Sequence, residues 1–220
     1  MSAWIFKNKV AWLVGWVVLM VAFDQGSKIW AQGALAEARV EVKPKDVADP
    51  ETGGTKRVEE RSEDYVAVRT IEVIPGLFNF KYAENRAAAF SLTQSIPEGA
   101  RRPLLLLVSL AACALIAAWY MKLKHADGLL MTAFALIIAG ALGNFIDRAR
   151  LAYVIDFLDF YVAGDSLGGW LRSPHTVPGL GWMIRLSDHW PTFNIADSCI
   201  VSGAIGVVLR TVKPLPVEKA

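Results

Sequence analysis

GLLMTAFALIIAGALGNFIDRARLAYVIDFLDFY, residues 128–161, decides the fold. Up to Gly143 it is apolar and uncharged. It then carries Asn144, Asp147, Arg148, Arg150, Asp156 and Asp159 in quick succession. An apolar run of this length, with its flanks, approaches the roughly 20 helical residues that cross about 30 Å of hydrocarbon. A chain segment alone in lipid must be helical, because unpaired backbone groups are too costly there. The polar residues then sit at a membrane boundary, where each buried charge needs a partner or a task.

The rest of the chain has the same character. Of its 220 residues 54% are hydrophobic, and the mean hydropathy is +0.36. Three further runs are long and apolar, at residues 10–23, 103–121 and 194–209. With 128–143 they predict a mainly α, polytopic membrane protein of four transmembrane helices, a single membrane domain over residues 1–220. The first run lacks a small-x-small exit and ends in Asp24-Gln25, so it reads as a retained span. RRPLLLLVSLAAC (residues 101–113) imitates a lipoprotein leader, but apolar sequence continues past Cys113 and a plain span is the better reading. Cys113 and Cys199 both fall in apolar segments and read as small buried residues. A net charge of +2 favours no nucleic-acid partner.

Basic residues set the orientation. Lys7 and Lys9 precede the first run, Lys122 and Lys124 link the second to the third, and Arg210, Lys213 and Lys219 follow the fourth. All three clusters fall on one side, which should be the cytoplasm, with both termini. Arg101 and Arg102 lie on the other side, at the end of a long loop where the rule is weaker. Residues 27–102 and 145–191 then lie outside the cytoplasm. In the first of these, EVKPKDVADPETGGTKRVEERSED reads as a charged, solvated excursion. The following YVAVRTIEVIPGLFNFKYAENRAAAFSL alternates apolar and polar around an Ile-Pro-Gly turn, which predicts a small β-sheet resting at the membrane surface. The second segment ends in sequence rich in Gly, Pro and Trp (Trp170, Trp182, Trp190), suited to the headgroup belt.

Two carboxylates stand out. Asp156 sits in the apolar YVIDFLDF, and Asp159 shares its face if that stretch is helical. Asp197 opens the fourth run in NIADS, where Asn194 can be the N-cap and Asp197 the third helical residue of a capping box. Asp147 and Arg148 also read as an interfacial ion pair or cap. Antiparallel packing of the third and fourth spans brings Asp156 and Asp197 to one membrane face. Two carboxylates sharing a proton can activate a water and protonate a leaving amine, which is aspartic-protease chemistry. A serine–lysine peptidase would need Ser27 and Lys28, which as helix neighbours point different ways. His125, His175 and His189 are scattered, with no metalloprotease motif. A transporter or proton relay would show broken helices and a repeat.

Four stretches carry a resemblance: FDQGSKIW (23–30), FNFKYAENRAAAFSL (78–92), GNFIDRARLAYVIDFLDFY (143–161) and WPTFNIADS (190–198). In order, and in position relative to the four spans, the chain resembles the lipoprotein signal peptidases, or signal peptidase II. The resemblance implies an aspartic endopeptidase of the bacterial cytoplasmic (inner) membrane, its active site near the extracytoplasmic face. It would remove signal peptides from diacylglyceryl prolipoproteins on the amino side of the lipidated cysteine, as a monomer among membrane lipids and with no cofactor or metal. It places the catalytic pair on Asp156 and Asp197, and site-lining polar residues on Asn85, Asn144, Arg148 and Asn194. Asp24 and Lys28 match a supporting pair. The chain departs from the pattern at Ala87, where glycine is usual. It departs again at an insertion over residues 40–64, and at a long segment, 162–189, expected to cover the site.

Overall fold

The computed structural model describes residues 8–48, 55–86, 97–123, 127–164, 174–176, 183–185 and 188–212. Ala87, His125, Trp170 and Trp182 lie outside these, as do the terminal lysines Lys7, Lys213 and Lys219, Lys124, and most of the segment expected to cover the site.

Among the described residues four helices are long and apolar enough to cross a membrane. They are α1 (Lys9–Leu35), α2 (Glu98–Met121), α3 (Gly128–Leu151) and α4 (Ile195–Val212). Helix α3 is the central one. Half of its most apolar window is buried, against 6% for α1 and α2 and 22% for α4. The remaining helices leave apolar flanks such as Val18, Leu107, Val108 and Val208 open, as lipid-facing surface requires.

Close packing of α3 on α4 rests on glycine. A Cβ on Gly203 would stand 2.6 Å from the Ala133 carbonyl oxygen, and one on Gly140 would stand 2.2 Å from that of Ala196. In lipid, where apolar burial gives little drive between helices, such close backbone approach is a main source of association energy.

One end of the bundle gathers the start of α1, the end of α2, the start of α3 and the end of α4. There Lys9 Nζ donates to the Met121 carbonyl at 2.9 Å, Tyr120 donates to the Lys9 carbonyl, and Arg210 pairs with Asp127. Asp127 also caps α3 by accepting from Leu130 N at 3.1 Å. A cluster of Tyr120, Met131 and Phe134 packs beneath.

At the other end the helices run longer than hydropathy suggests. Helix α1 continues past Phe23 to Leu35 because Asp24 and Lys28, four residues apart, form a buried ion pair within it, and because Ala31 and Leu35 pack into a second core with Tyr82, Tyr153, Ile155 and Phe157. Helix α3 runs on to Leu151, ending in a left-handed Ala152 (φ 67°) whose N–H bonds to the Arg148 carbonyl.

Among the described residues seven strands make three small antiparallel sheets. The charged excursion is extended on both described sides. Its flanks form a hairpin, β1 (Ala36–Ala48) with β2 (Thr55–Ala67), in register from Ala36–Ala67 to Ala48–Thr55. The register sets Arg39 opposite Asp64, Lys43 opposite Glu60 and Asp46 opposite Arg57, and opposite charges at paired positions favour strand pairing. The alternating stretch forms β3 (Thr70–Ile74) and β4 (Phe78–Asn85). They are joined by a turn in which Gly76 has φ 77° and Leu77 N bonds to the Ile74 carbonyl, as Pro-Gly favours. The stretch after α3 is also extended. Strand β5 (Val154–Phe160) pairs with β4, completing the order β3-β4-β5. Two short strands, β6 (Pro174–Thr176) and β7 (Met183–Arg185), pair with each other.

A candidate active site at the end of the bundle

Strand β5 and the N-terminus of α4 build the site together. Phe193 exchanges backbone hydrogen bonds with Leu158 (2.8 and 3.1 Å), so the segment entering α4 lies beside β5. The next residue, Asn194, is the N-cap of α4. Its side chain accepts from Asp197 N at 3.0 Å, while the Asp197 carboxylate accepts from Asn194 N at 3.3 Å. This is the capping box expected from NIADS, and it fixes the Asp197 rotamer.

Asp156 is buried. It accepts from Asn194 Nδ2 at 2.7 Å and from Asn85 Nδ2, on the neighbouring strand, at 3.0 Å. Asn144, on α3, donates to Asp197 at 2.8 Å and accepts from Asn194 at 3.2 Å. One amide chain thus runs from Asp156 through Asn194 and Asn144 to Asp197. Burial, and then the negative charge of Asp197, push the Asp156 carboxyl up to about 7, against the opposing pull of its two asparagine donors. Arg148 is half-buried, with Asp197, Asp156 and Asp147 as its electrostatic neighbours.

Asp159 does not share a face with Asp156. In a strand, residues three apart point to opposite sides. Asp159 instead accepts from Asn79 at 3.3 Å and lies 3.5 Å from His189 Nδ1.

Beneath the two aspartates is a second polar layer. Lys28 Nζ lies 2.8 Å from Asp24, 2.9 Å from Asp147 and 3.2 Å from Asn144 Oδ1. Asp147 therefore pairs with a lysine from α1, not with its neighbour Arg148. Each carboxylate also ties down backbone: Asp24 accepts from Ala196 N at 2.9 Å, in the first turn of α4, and Asp147 accepts from Ile155 N at 3.2 Å, beside Asp156. Sequence reasoning missed Gln25, whose amide donates to Asp24, to Asp147 and to the Gly143 carbonyl. It also missed Gly143, where a Cβ would stand 2.6 Å from Asp24 Oδ2. Their adjacency to Asp24 and Asn144 was the available signal.

All eight residues singled out from the sequence (Asp24, Lys28, Asn85, Asn144, Arg148, Asp156, Asn194 and Asp197) meet at this one end. Among the described residues no cluster of His, Cys, Asp and Glu could hold a metal ion.

A sequence model described as signal peptidase (SPase) II matches residues 16–213. The chain belongs to the signal peptidase II family. It is 40% identical over 151 residues to the lipoprotein signal peptidase of Geobacter sulfurreducens, covering 69% of this chain and 77% of that one. It is 37% identical over 145 residues to that of Geobacter metallireducens (66% and 74%), and 38% identical over 142 residues to that of Chlorobaculum tepidum (64% and 75%). Two solved structures of bacterial membrane enzymes share its fold. The TM-scores are 0.60 and 0.58, at 21% and 22% identity. They cover 96% and 93% of this chain and 93% and 95% of theirs. This signal peptidase II family member is thus a membrane-embedded peptidase with the fold class expected from its hydropathy.

Proposed function

We propose that this chain hydrolyses the signal peptide from diacylglyceryl-modified prolipoproteins, on the amino side of the lipidated cysteine, with Asp156 and Asp197 as the catalytic pair. The observation that carries the reading is the amide chain linking these two carboxyls, together with an Asp156 held partly protonated near neutral pH.

One proton shared between two carboxyls gives an acid and a base at the same site. The ionised carboxylate takes a proton from water as its oxygen attacks the scissile carbonyl. The neutral carboxyl gives its proton to the carbonyl oxygen, forming a gem-diol. Collapse of the diol returns a proton to one carboxylate while the departing amine takes the other, so the pair ends as it began. Asn85 and Asn194 hold Asp156 in one rotamer, and Asn144 with the capping box holds Asp197. Arg148 supplies positive charge beside the developing oxyanion. Asp24, Lys28 and Asp147 act through the backbone they anchor.

Orientation follows from the opposite end of the bundle, where Lys9, Lys122 and Arg210 gather. The positive-inside rule makes that end cytoplasmic, and so sets the site at the extracytoplasmic face of a bacterial inner membrane. The enzyme is read as a monomer whose bundle meets its substrate in the bilayer.

The test is to incubate purified protein with a diacylglyceryl prolipoprotein and locate the cut by mass spectrometry. A single product beginning at the lipidated cysteine is expected. No cleavage, or cleavage elsewhere, would overturn the reading.

A further inference from the structure

Asp156 and Asp197 belong to different elements, β5 and α4. Besides the amide chain through Asn194 and Asn144, a second linkage joins them one layer down. The residue before each aspartate gives its backbone N–H to a carboxylate: Ala196 N to Asp24 Oδ1 at 2.9 Å, and Ile155 N to Asp147 Oδ2 at 3.2 Å. The spacing of Asp24 and Asp147 is thereby passed on to Asp197 and Asp156.

Two side chains of α1 bridge Asp24 and Asp147. Lys28 Nζ lies 2.8 Å from Asp24 Oδ2 and 2.9 Å from Asp147 Oδ2. Gln25 Nε2 lies 3.1 Å from Asp24 Oδ2, 2.9 Å from Asp147 Oδ1 and 3.2 Å from the Gly143 carbonyl oxygen. All three of these neighbours are acceptors, so the amide must face them with its nitrogen.

The two bridges are not equivalent. Lys28 is a compact charge that attracts both carboxylates with little demand on direction. It balances one of their two charges, and the carboxylates still repel each other. Gln25 adds no charge, but its planar amide fixes the directions of its N–H bonds. Through Gly143 it also ties to α3 one residue before Asn144, the donor to Asp197. The fit is close, since a Cβ on Gly143 would stand 2.6 Å from Asp24 Oδ2.

We propose that Gln25 is a positioning residue for the hydrolysis: by spanning Asp24 and Asp147 it sets the separation of Asp197 and Asp156 through Ala196 N and Ile155 N. The inference rests on the proposed function, which makes those two carboxyls the catalytic pair. Without the amide, Asp24 and Asp147 keep one lysine between two negative charges and move apart, carrying Ala196 and Ile155 with them. Wider separation of the carboxyls weakens the sharing of their proton, which acts on turnover far more than on binding.

The experiment is steady-state cleavage of a diacylglyceryl prolipoprotein by wild type, Gln25→Met and Thr132→Val, per folded protein in one detergent, between about pH 5 and pH 9. Gln25→Met keeps the length of the side chain and removes its donors. Its kcat should fall roughly 10- to 100-fold, with KM within about twofold of wild type. The pH at which turnover falls should also move down, because a more distant Asp197 repels Asp156 less, while Lys28 and Arg148, the cations facing Asp156, are the same in both proteins. Thr132→Val removes the bond from Trp12 Nε1 at 3.3 Å, at the other end of the bundle, and should change neither kcat nor the pH profile. Wild-type kcat in Gln25→Met, an equal loss in Thr132→Val, or a loss of kcat with the pH profile unmoved would overturn the proposal. Should Gln25→Met fail to fold, Gln25→Asn decides, because it keeps an amide but draws it back by one methylene. It should show the same loss and the same shift, and wild-type kinetics in it would overturn the proposal. A wild type that cuts no prolipoprotein would instead overturn the proposed function, and this inference with it.

Discussion

Asp156 sets residue chemistry against folding energy. Its carboxyl is pushed up to about 7 in the folded protein, from an ordinary value of 3.8. A carboxyl raised in this way is held most favourably while neutral. The folded state then binds the extra proton between about pH 4 and 7, so this group's share of stability is full at low pH and is lost as pH rises through 7. Asp156→Asn keeps the shape without the charge. Its stability should equal wild type near pH 4 and exceed it at pH 8 by up to about 4 kcal/mol on the size of the shift, with the melting temperature higher at pH 8 alone. Peptidase turnover in the wild type should fall as pH rises through about 7, as the shared proton is lost. A melting difference independent of pH would contradict this account of Asp156. The lower layer should behave oppositely. Lys28 neutralises two carboxylates, whereas Asp147 has Gln25 and Ile155 N as well as Lys28. Lys28→Met should therefore cost the most, on the order of 3–5 kcal/mol, and Asp147→Asn less, because Lys28 keeps Asp24. Chemical denaturation of the two variants checks the order.

At the scale of elements, glycine and backbone geometry govern how the site is held. Gly203→Ala should drive a methyl into the Ala133 carbonyl, 2.6 Å away, and separate α4 from α3. A loss of about 1–3 kcal/mol is expected, with Asp197 moved away from Asn144, so melting temperature and activity should drop together. Ala152, left-handed at the end of α3, should gain about 1 kcal/mol on replacement by glycine. The four helices were legible because hydropathy over a span is a sum of many small terms, and no single residue can reverse it. Their polar extensions were not. Asp24 and Lys28 read as the end of a span, yet the pair they make across one helical turn is what carries α1 on to Leu35. The stretch VIDFLDF is ambiguous by itself, apolar enough for a buried helix and β-branched enough for a strand. Pairing with Phe78–Asn85 settles it, and that partner lies some seventy residues away. The hairpin within the charged excursion was not legible for a related reason: the cross-strand register that pairs β1 with β2 is a relation between two segments. The candidate site residues stood in the stretches that carry the resemblance. Gln25 and Gly143 stand in the same stretches, yet the amide bridge of one and the close approach of the other emerged only from packing.

The whole molecule keeps its polar groups to its two ends. The candidate site, with its carboxylates, amides, Lys28 and Arg148, lies at one; Lys9, Lys122 and the Arg210–Asp127 pair lie at the other, with lipid-facing apolar surface between. A bundle open to the bilayer rewards a substrate that brings its own hydrocarbon, at about 0.8 kcal/mol for each methylene buried. The same prolipoprotein without its diacylglyceryl group should thus be cleaved far more slowly, in steady-state assays of the two forms side by side. Equal rates would mean that the bilayer has no part in recognition. The central claim is narrower: Asp156 and Asp197 perform the hydrolysis, while the aspartates beneath them hold the fold. It is tested most directly by single-turnover cleavage of a diacylglyceryl prolipoprotein by wild type, Asp156→Asn and Asp197→Asn, each checked for its melting temperature in the same detergent. Both variants should melt at or above the wild-type temperature and yield no product. Product formation at the wild-type rate by either folded variant, or activity lost only in proportion to unfolded protein, would contradict it.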